Sequence, residues 1–236
     1  CVWIKPFDLD SDQGIISQMN ASGGGGYNII TNGTNIRLEG AGTHLFSPPI
    51  TINQWQHLAV TINEVSKKIY LDGVLVAENI AEPVLSTEDD LMIGAHQPYA
   101  VPSWAWNGLL DDVHIWSKDL SEEEINTYIH CSPIGDEDNL VGYWNFDEGE
   151  GEIIYDVTSN NNHGSIVGEV YWNSDVPEQN CNENNTLGPC NNQTSVTYQG
   201  YEYDIVEIGD QCWFAENCRY LPEVSTASQE SESEPY

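Results

Sequence analysis

The sequence predicts an all-β fold, a sandwich of antiparallel sheets, and three observations support this prediction. Short segments that alternate apolar and polar residues recur along the chain, separated by clusters of Gly, Asn, Asp, Ser and Pro. Two dipeptides, Asn32-Gly33 and Asp72-Gly73, have the composition of tight hairpin turns. Helix signals are confined to one short segment, residues 121–130. With 236 residues, the chain is long enough to bury the core that such a sandwich requires.

The expected strands follow one another through the first half of the chain. They cover residues 2–5, 14–17, 27–30, 35–38, 57–62, 68–71, 74–77, 91–94 and 110–116. The segments on either side of Asn32-Gly33 form one hairpin, and Asp72-Gly73 turns the chain into the next strand. Ser121 at the N-cap and Glu124 at the capping-box position predict a short helix over residues 121–130.

The second half of the chain divides by composition into four segments. Residues 139–177 are a further β unit, 178–198 a linker rich in Cys and Asn, and 199–221 a small β segment. Residues 222–236 are rich in Ser and Glu and have no apolar face to bury, so we expect a mobile acidic tail.

The charge balance excludes several classes of partner. The chain has 38 Asp and Glu against 6 Lys and Arg, a formal net charge of −32. Such a surface repels nucleic acids and anionic membranes. No apolar run is long enough to cross a bilayer. The acidity suits a soluble extracellular protein and calcium, which takes oxygen ligands.

The cysteines predict disulfides and an oxidising compartment. None of the six forms a C-x-x-C pair, and the scattered histidines complete no zinc spacing with them. We favour a Cys131–Cys181 bridge because these two bracket one segment. Cys190, Cys212 and Cys218 would then hold the C-terminal region together.

Five segments resemble, in order, the laminin-G-like, concanavalin A-type jelly roll, which includes the pentraxin type. They are WIKP at 3–6, QWQHLAVT at 54–61, IYLDG at 69–73, MIG at 92–94 and NGLLDDVHIW at 107–116. The resemblance implies two antiparallel sheets packed face to face in a secreted or cell-surface protein. It also implies non-catalytic binding of a glycan or a surface protein, as in adhesion.

Residues 139–177 resemble the opening of such a domain but follow its closing strand. They could begin a second domain, complete their own sandwich, or complete a neighbour's sandwich and so build a filament by strand exchange. We favour self-completion within a domain over 1–177, because a segment this short cannot bury a separate core. Residues 199–220 resemble the start of the Fibrobacter succinogenes major paralogous domain, found in secreted proteins of Bacteroidetes, which points to a bacterial surface protein.

Two groups of carboxylates are candidate calcium ligands. The resemblance implies one structural ion near the junction of first and last strands, where Asp111 or Asp112 would approach Asp147 and Glu148. Adjacent strand residues point to opposite faces, so we expect one of the first pair, Asp112, to face the site.

The second group, Asp8, Asp10 and Asp12, imitates the first half of an EF-hand loop. Met19 stands where the bidentate Glu is required, so this is a calcium loop of another kind or an acidic turn.

The loop at residues 96–107 is the candidate glycan-binding segment, because sugar C–H faces pack on aromatic rings. Tyr99 and Trp104 are the expected ring contacts, with Asn107 beside them, whereas Trp106 is expected in the core.

An enzymatic alternative comes from Glu202, Asp204 and Glu207, which nearly match the E-x-D-x-x-E signature of laminarinase-type glycoside hydrolases. Tyr203 stands where an aliphatic residue is expected, and too few residues follow for the remaining cleft strands. No G-x-S-x-G or H-E-x-x-H motif is present either. The sequence therefore predicts a binding module without catalytic residues.

Overall fold

Hydrogen-bonded strands form two five-stranded antiparallel sheets in the computed structural model of the chain. The structure describes residues 1–19, 25–40, 42–82, 89–96, 104–181, 195–198, 201–208 and 211–214. In chain order the elements are β1 (Val2–Pro6), β2 (Gly14–Met19), β3 (Gly26–Asn32), β4 (Asn35–Glu39), β5 (Leu45–Pro49), β6 (Gln56–Ile62), β7 (Ser66–Leu71), β8 (Val74–Ile80), β9 (Met92–Ile93), β10 (Gly108–Asp111), β11 (Val113–Trp116), α1 (Glu122–His130), β12 (Leu140–Trp144), β13 (Ile153–Ile154), β14 (Gly164–Ser165), β15 (Ser195–Tyr198), β16 (Tyr201–Ile208) and β17 (Gln211–Phe214).

The two large sheets pack face to face around one apolar core. The β1 sheet has the strand order β10-β1-β6-β7-β8, and the β2 sheet has the order β5-β4-β3-β2-β9. Ile4 and Leu58 of the β1 sheet meet Ile16, Ile29 and Leu38 of the β2 sheet, and all five are buried. Each such side chain contributes about 1.5–3 kcal/mol to stability. The predicted all-β jelly-roll sandwich is therefore confirmed.

A second, smaller apolar layer covers the other face of the β1 sheet. Because side chains alternate along a strand, Leu58 points into the main core and Ala59 points to the opposite face. There Ala59 and Tyr70 pack against Leu120 and Ile125 of the α1 segment. We call this layer the helix-covered face.

The helix forms where the sequence predicts it. Ser121 is the N-cap: its side chain accepts a hydrogen bond from the Glu124 backbone nitrogen, and the Glu124 carboxylate accepts from the Ser121 nitrogen. This is the predicted capping box. Three glutamates in the first turn interact favourably with the positive N-terminal end of the helix dipole. In the part of the chain that the structure describes, no helix is long and apolar enough to cross a membrane.

Residues of the predicted 139–177 unit pair with the preceding strand of the same chain. In β12, Tyr143 lies opposite His114 of β11, and Trp144 enters the main core. Asp156 fixes the following loop because its carboxylate accepts from the backbone nitrogens of Tyr143 (3.0 Å), Thr158 (2.9 Å) and Asn162 (2.9 Å). These hydrogen bonds outweigh the effect of burial and lower the pKa of Asp156.

The predicted disulfide between Cys131 and Cys181 is present. It closes the segment from the end of α1 to residue 181 into a covalent loop. The compact unit Cys1–Asn180 ends next to it. A second unit begins at Cys181 and contains the antiparallel sheet β15-β16-β17.

Several predicted features of the C-terminal part lie outside the described residues. These are Cys190, Cys218, most of the linker, the tail at 222–236 and the side chains of Cys212 and Glu207.

Two departures from the predicted strands have local causes. β5 is not among the predicted strands; it forms at the edge of the β2 sheet, where the missing N–H groups of Pro48 and Pro49 are tolerated. The single strand expected over 110–116 is divided, because Asp112 has a left-handed φ of 49°. β10 before it pairs with β1, and β11 after it pairs with β12.

Candidate functional site

The predicted glycan-binding loop is described in part. Tyr99 lies outside the described residues. Trp104 is 44% exposed, and its ring packs edge-on against His96 with the ring centroids 4.7 Å apart. Asn107 is exposed, and its side-chain amide donates to the carboxylate of Asp8. Among the predicted contacts in the described residues, Trp104 is therefore the one that offers an aromatic ring to a ligand.

Asn28 is the centre of a row of polar side chains on the face of the β2 sheet that points away from the core. Ser17 and Glu39 lie opposite Asn28 in the strand register. Asn28 Oδ1 accepts from Ser17 Oγ (2.5 Å), and its Nδ2 donates to Glu39 Oε2 (3.0 Å) and lies 2.9 Å from His96 Nε2. Since Asn28 is fully buried, these partners fix its orientation.

Arg37 connects this row to the acidic loop at 8–12. Its Nε lies 3.1 Å from Glu39 Oε1, and its Nη2 lies 3.3 Å from Asp12 Oδ2. The side chains of Arg37 and Glu39 are each 16% exposed, so an edge of the ion pair is in reach of solvent. We call this set the polar face; it consists of Ser17, Asn28, Arg37, Glu39 and His96.

Exposed aromatic rings flank the polar face. On the edge strand β5, Phe46 is 46% exposed and packs edge-on against His44. On the opposite side, beside β2 and β9, lies Trp104, whose backbone oxygen accepts from the Gly14 nitrogen. Burial lowers the pKa of His96 despite the opposing charge of Glu39, so this ring is neutral at pH 7.

The polar face was not identified from the sequence. Its members are separated by up to 79 residues between Ser17 and His96. Those on strands look like ordinary polar residues of half-buried strands, and His96 is the first residue of the predicted glycan-binding loop. The one signal was the period-two spacing of Arg37 and Glu39, which places both on one face of β4.

The predicted calcium site contains three carboxylates that influence one another. Burial, the charge of Asp112 and the charge of Asp147 raise the pKa of Asp111 to about 7. Burial also raises the pKa of Asp112, against hydrogen bonds from Tyr143 and Ser132. Tyr143 Oη donates to Asp112 Oδ1 over 2.5 Å.

Strand alternation does not separate Asp111 from Asp112 as expected, because the left-handed residue interrupts the strand. Both carboxylates therefore respond to the charge of Asp147.

The fourth predicted calcium ligand, Glu148, is held by a backbone hydrogen bond. Its Oε1 accepts from the Tyr155 nitrogen (2.7 Å), while Oε2 is buried without a hydrogen bond among the described residues. Asp147 is exposed and accepts from Asn145 (2.7 Å).

The donor chemistry of the trio Asp111, Asp112 and Asp147 fits calcium, since three carboxylates here have no ion pair with Lys or Arg within the described residues. Their oxygens do not all lie within 4.8 Å of one another, so a bound ion requires the side chains to move closer together.

In the acidic loop at 8–12, the carboxylates of Asp8 and Asp12 have partners within the protein. Asp8 accepts from the Gln13 amide (3.0 Å) and the Asp10 nitrogen (3.3 Å). Asp12 accepts from Asn32 (3.3 Å) and pairs with Arg37 (3.3 Å). Protein donors thus occupy the carboxylates of Asp8 and Asp12, and the carboxylate oxygens of Asp8, Asp10 and Asp12 do not all lie within 4.8 Å of one another.

A family profile described as the concanavalin A-like lectin/glucanases superfamily, of the laminin G type, matches residues 1–126, just over half of the chain. The chain belongs to this superfamily. The match covers every strand of the two large sheets, which agrees with the sandwich observed. It ends before the segments 139–177 and 199–221, so the family resemblances given above for these two segments stay predictions. No curated protein matches the sequence.

Solved structures resemble parts of this chain at low sequence identity. A proposed carbohydrate-binding protein from Bacteroides ovatus is 18% identical with a TM-score of 0.60, over 70% of this chain and 50% of that chain. Domain 4 of an extracellular GH43 arabinanase from Geobacillus stearothermophilus, solved with arabinotriose, is 17% identical with a TM-score of 0.43, over 53% of this chain and 62% of that chain. The chain thus spans half the length of the Bacteroides ovatus protein, and at this identity the likeness shows the shared fold.

Proposed function

We propose that this superfamily member is a non-catalytic carbohydrate-binding module that recognises a glycan with the polar face and the ring of Trp104. The observation that carries the proposal is the network around Asn28, in which a fully buried amide holds charged and aromatic side chains in place on one side of a sheet. Such a surface is preorganised, so that binding orders few additional side chains.

The residues present match the chemistry of a sugar. Arg37 offers N–H donors and Glu39 offers carboxylate oxygens, which suit the alternating donor and acceptor roles of hydroxyl groups. Trp104 offers an exposed ring for the apolar face of a pyranose. It is held at a left-handed φ of 72°, a conformation that bulky residues rarely adopt and that is often found at binding sites.

Superfamily membership supports glycan binding but includes both lectins and glucanases. The carboxylates of the polar face are engaged by Arg37 and Asn28, an arrangement suited to orienting hydroxyl groups. Of the laminarinase-like signature, Glu202 and Asp204 are exposed on β16 in the second unit, and Glu202 accepts from Ser195 (3.0 Å). These observations favour binding over hydrolysis.

Calcium is the second part of the proposal and has a structural role. Asp111, Asp112 and Asp147 would hold the ion at the junction between β10 and β11. The positive ion would offset the burial and the carboxylate repulsion that together raise the pKa of Asp111.

An extracellular or cell-surface location, with a role in adhesion, completes the proposal. The disulfide supports an oxidising compartment, and the net charge of −32 supports a soluble surface domain.

The test of glycan binding is an array screen followed by calorimetry with the glycan selected. Trp104→Ala is expected to weaken binding at least about tenfold, which corresponds to roughly 1.4 kcal/mol. Tyr171→Ala, which removes a ring that is 81% exposed elsewhere on the unit, is the matched control and should bind like the wild type. Equal affinity of both variants would reject the proposed surface, and release of shortened glycan would identify an enzyme.

The molecular mass in solution distinguishes the binding module from the alternative function, a filament subunit assembled by strand exchange. β12 pairs with β11 within the chain, and the same pairing between copies would yield a polymer. A monomeric mass in light scattering supports the binding module, whereas a concentration-independent polymer supports the filament.

A further inference from the structure

Three potential metal ligands from distant parts of the sequence meet beside the helix-covered face. They are the thiol of Cys1 and the imidazoles of His57 and His114, and their donor atoms all lie within 4.8 Å of one another. Among the described residues this is the one group of three such side chains at that spacing. Cys1 precedes β1, His57 lies on β6 and His114 lies on β11.

The backbone holds these residues side by side. Trp3 is opposite His57 in the register of β1 and β6, and its ring packs edge-on against the imidazole at 5.3 Å. Cys1 and His114 exchange backbone hydrogen bonds of 2.8 and 3.1 Å. The Asp72 carboxylate accepts from the backbone nitrogen of His57 (2.8 Å), which fixes that position further. The cluster therefore results from sheet pairing and does not depend on a flexible loop.

The imidazole of His57 is an independent observation that points to a ligand at this cluster. Its side chain is 1% exposed, yet neither Nδ1 nor Nε2 has a hydrogen-bond partner among the described residues. A buried imidazole normally donates through one nitrogen and accepts through the other. The Cys1 thiol beside it is free and half-buried. A metal ion would satisfy one nitrogen of His57 and the sulfur together.

We propose that Cys1, His57 and His114 bind a divalent transition metal of the zinc class. One thiolate and two imidazoles are ligands that Zn²⁺ prefers, with bonds of about 2.0–2.3 Å. Binding replaces the proton of the Cys1 thiol by the metal and releases that proton to solvent. Three protein ligands leave the fourth tetrahedral position to water. Sulfur and nitrogen donors distinguish this site from the all-oxygen carboxylate trio proposed for calcium.

Trp116 competes with the metal for His114. The Trp116 indole N–H donates to His114 Nδ1 over 2.6 Å. A neutral imidazole that binds a metal through one nitrogen carries its proton on the other, so it cannot also accept from the indole. Metal binding therefore breaks this hydrogen bond. Removing the indole donor with Trp116→Phe should strengthen metal binding.

The experiment titrates the whole chain, with its disulfides intact and after dialysis against EDTA, with Co²⁺ and then with Zn²⁺. We expect one equivalent of Co²⁺ to give a thiolate-to-cobalt charge-transfer band that Zn²⁺ abolishes. Cys1→Ser should remove the band and weaken Zn²⁺ binding at least about 100-fold. His130→Gln, which changes an exposed histidine of the same unit, is the matched control and should bind like the wild type.

Two further readouts keep the outcome decisive even if a variant at the buried His57 fails to fold. Zn²⁺ should protect Cys1 from alkylation, and Trp116→Phe should bind Zn²⁺ more tightly than the wild type. A charge-transfer band that persists in Cys1→Ser, or the absence of saturable binding by the wild type, would overturn the proposal.

Discussion

The two sheets of the sandwich differ in what lies on their outer faces. The β1 sheet is covered by α1, so its outward side chains, such as Ala59 and His57, are buried. The β2 sheet carries a row of paired polar side chains, with Asn28 at its centre and exposed rings at both ends. Inner faces of the two sheets, in contrast, are alike and apolar.

Under the proposed function, this difference separates stability on one sheet from recognition on the other. On the helix-covered face, burial supplies free energy, and a polar group there must find a partner inside the protein. On the polar face, ion pairs and hydrogen bonds hold donors and acceptors in fixed positions with one edge exposed. Substitutions on the two faces should therefore have different consequences.

The largest expected effect is the loss of stability from Ile125→Ala. Ile125 is fully buried in the layer under α1, and truncating such a side chain costs about 3 kcal/mol. The measurement is the free energy of unfolding in urea, together with glycan affinity under native conditions. Ile134→Ala, at a position 74% exposed, should change neither quantity. A large loss of glycan affinity in folded Ile125→Ala would show that the two faces are not independent.

An intermediate effect is expected at Asp111, at the edge of the β1 sheet. In EGTA, the folded state keeps the Asp111 proton up to pH about 7, whereas the unfolded state loses it near 3.8. The folded state binds more protons between these values, so stability falls as pH rises from about 4 to 7.

Asp111→Asn should remove this contribution and raise stability above pH 7 by on the order of 1–2 kcal/mol in EGTA. Calcium should stabilise the wild type and not this variant. Chemical denaturation across this pH range, with exposed Asp138→Asn as control, measures both effects. A wild type that calcium does not stabilise would contradict the calcium site.

The smallest effect is expected from the cap of α1. Ser121→Ala removes the side-chain acceptor for the Glu124 nitrogen and should cost about 1 kcal/mol of stability. Exposed Ser174→Ala is the control, and glycan affinity should be unchanged in both. A cost near zero in thermal unfolding would mean that the helix contributes little to covering the β1 sheet.

Features that depend on neighbouring residues could be predicted from the sequence, whereas those that depend on distant contacts could not. The capping box at Ser121 and the hairpin at Asn32-Gly33 are local, and both form as expected. The interruption at Asp112 and the edge strand with Pro48 and Pro49 depend on pairing partners that no local pattern shows.

The sites follow the same rule. Trp104 could be proposed because an aromatic residue in a polar loop is a local signal. Asn28 and Glu39 come together through the β3–β4 register, and His96 approaches them from a distant part of the chain. Cys1 and His114 are separated by 113 positions in the chain, so their meeting was invisible to any spacing rule.

Two matched carboxylates, one on each sheet, test which face binds the glycan. Glu39 pairs with Arg37 on the β2 sheet, and Glu78 pairs with Lys68 (3.5 Å) on the β1 sheet. For the glycan selected on the array, calorimetry should show at least about tenfold weaker binding for Glu39→Gln and wild-type binding for Glu78→Gln. Wild-type affinity for folded Glu39→Gln would contradict the claim that the polar face of the β2 sheet binds the glycan.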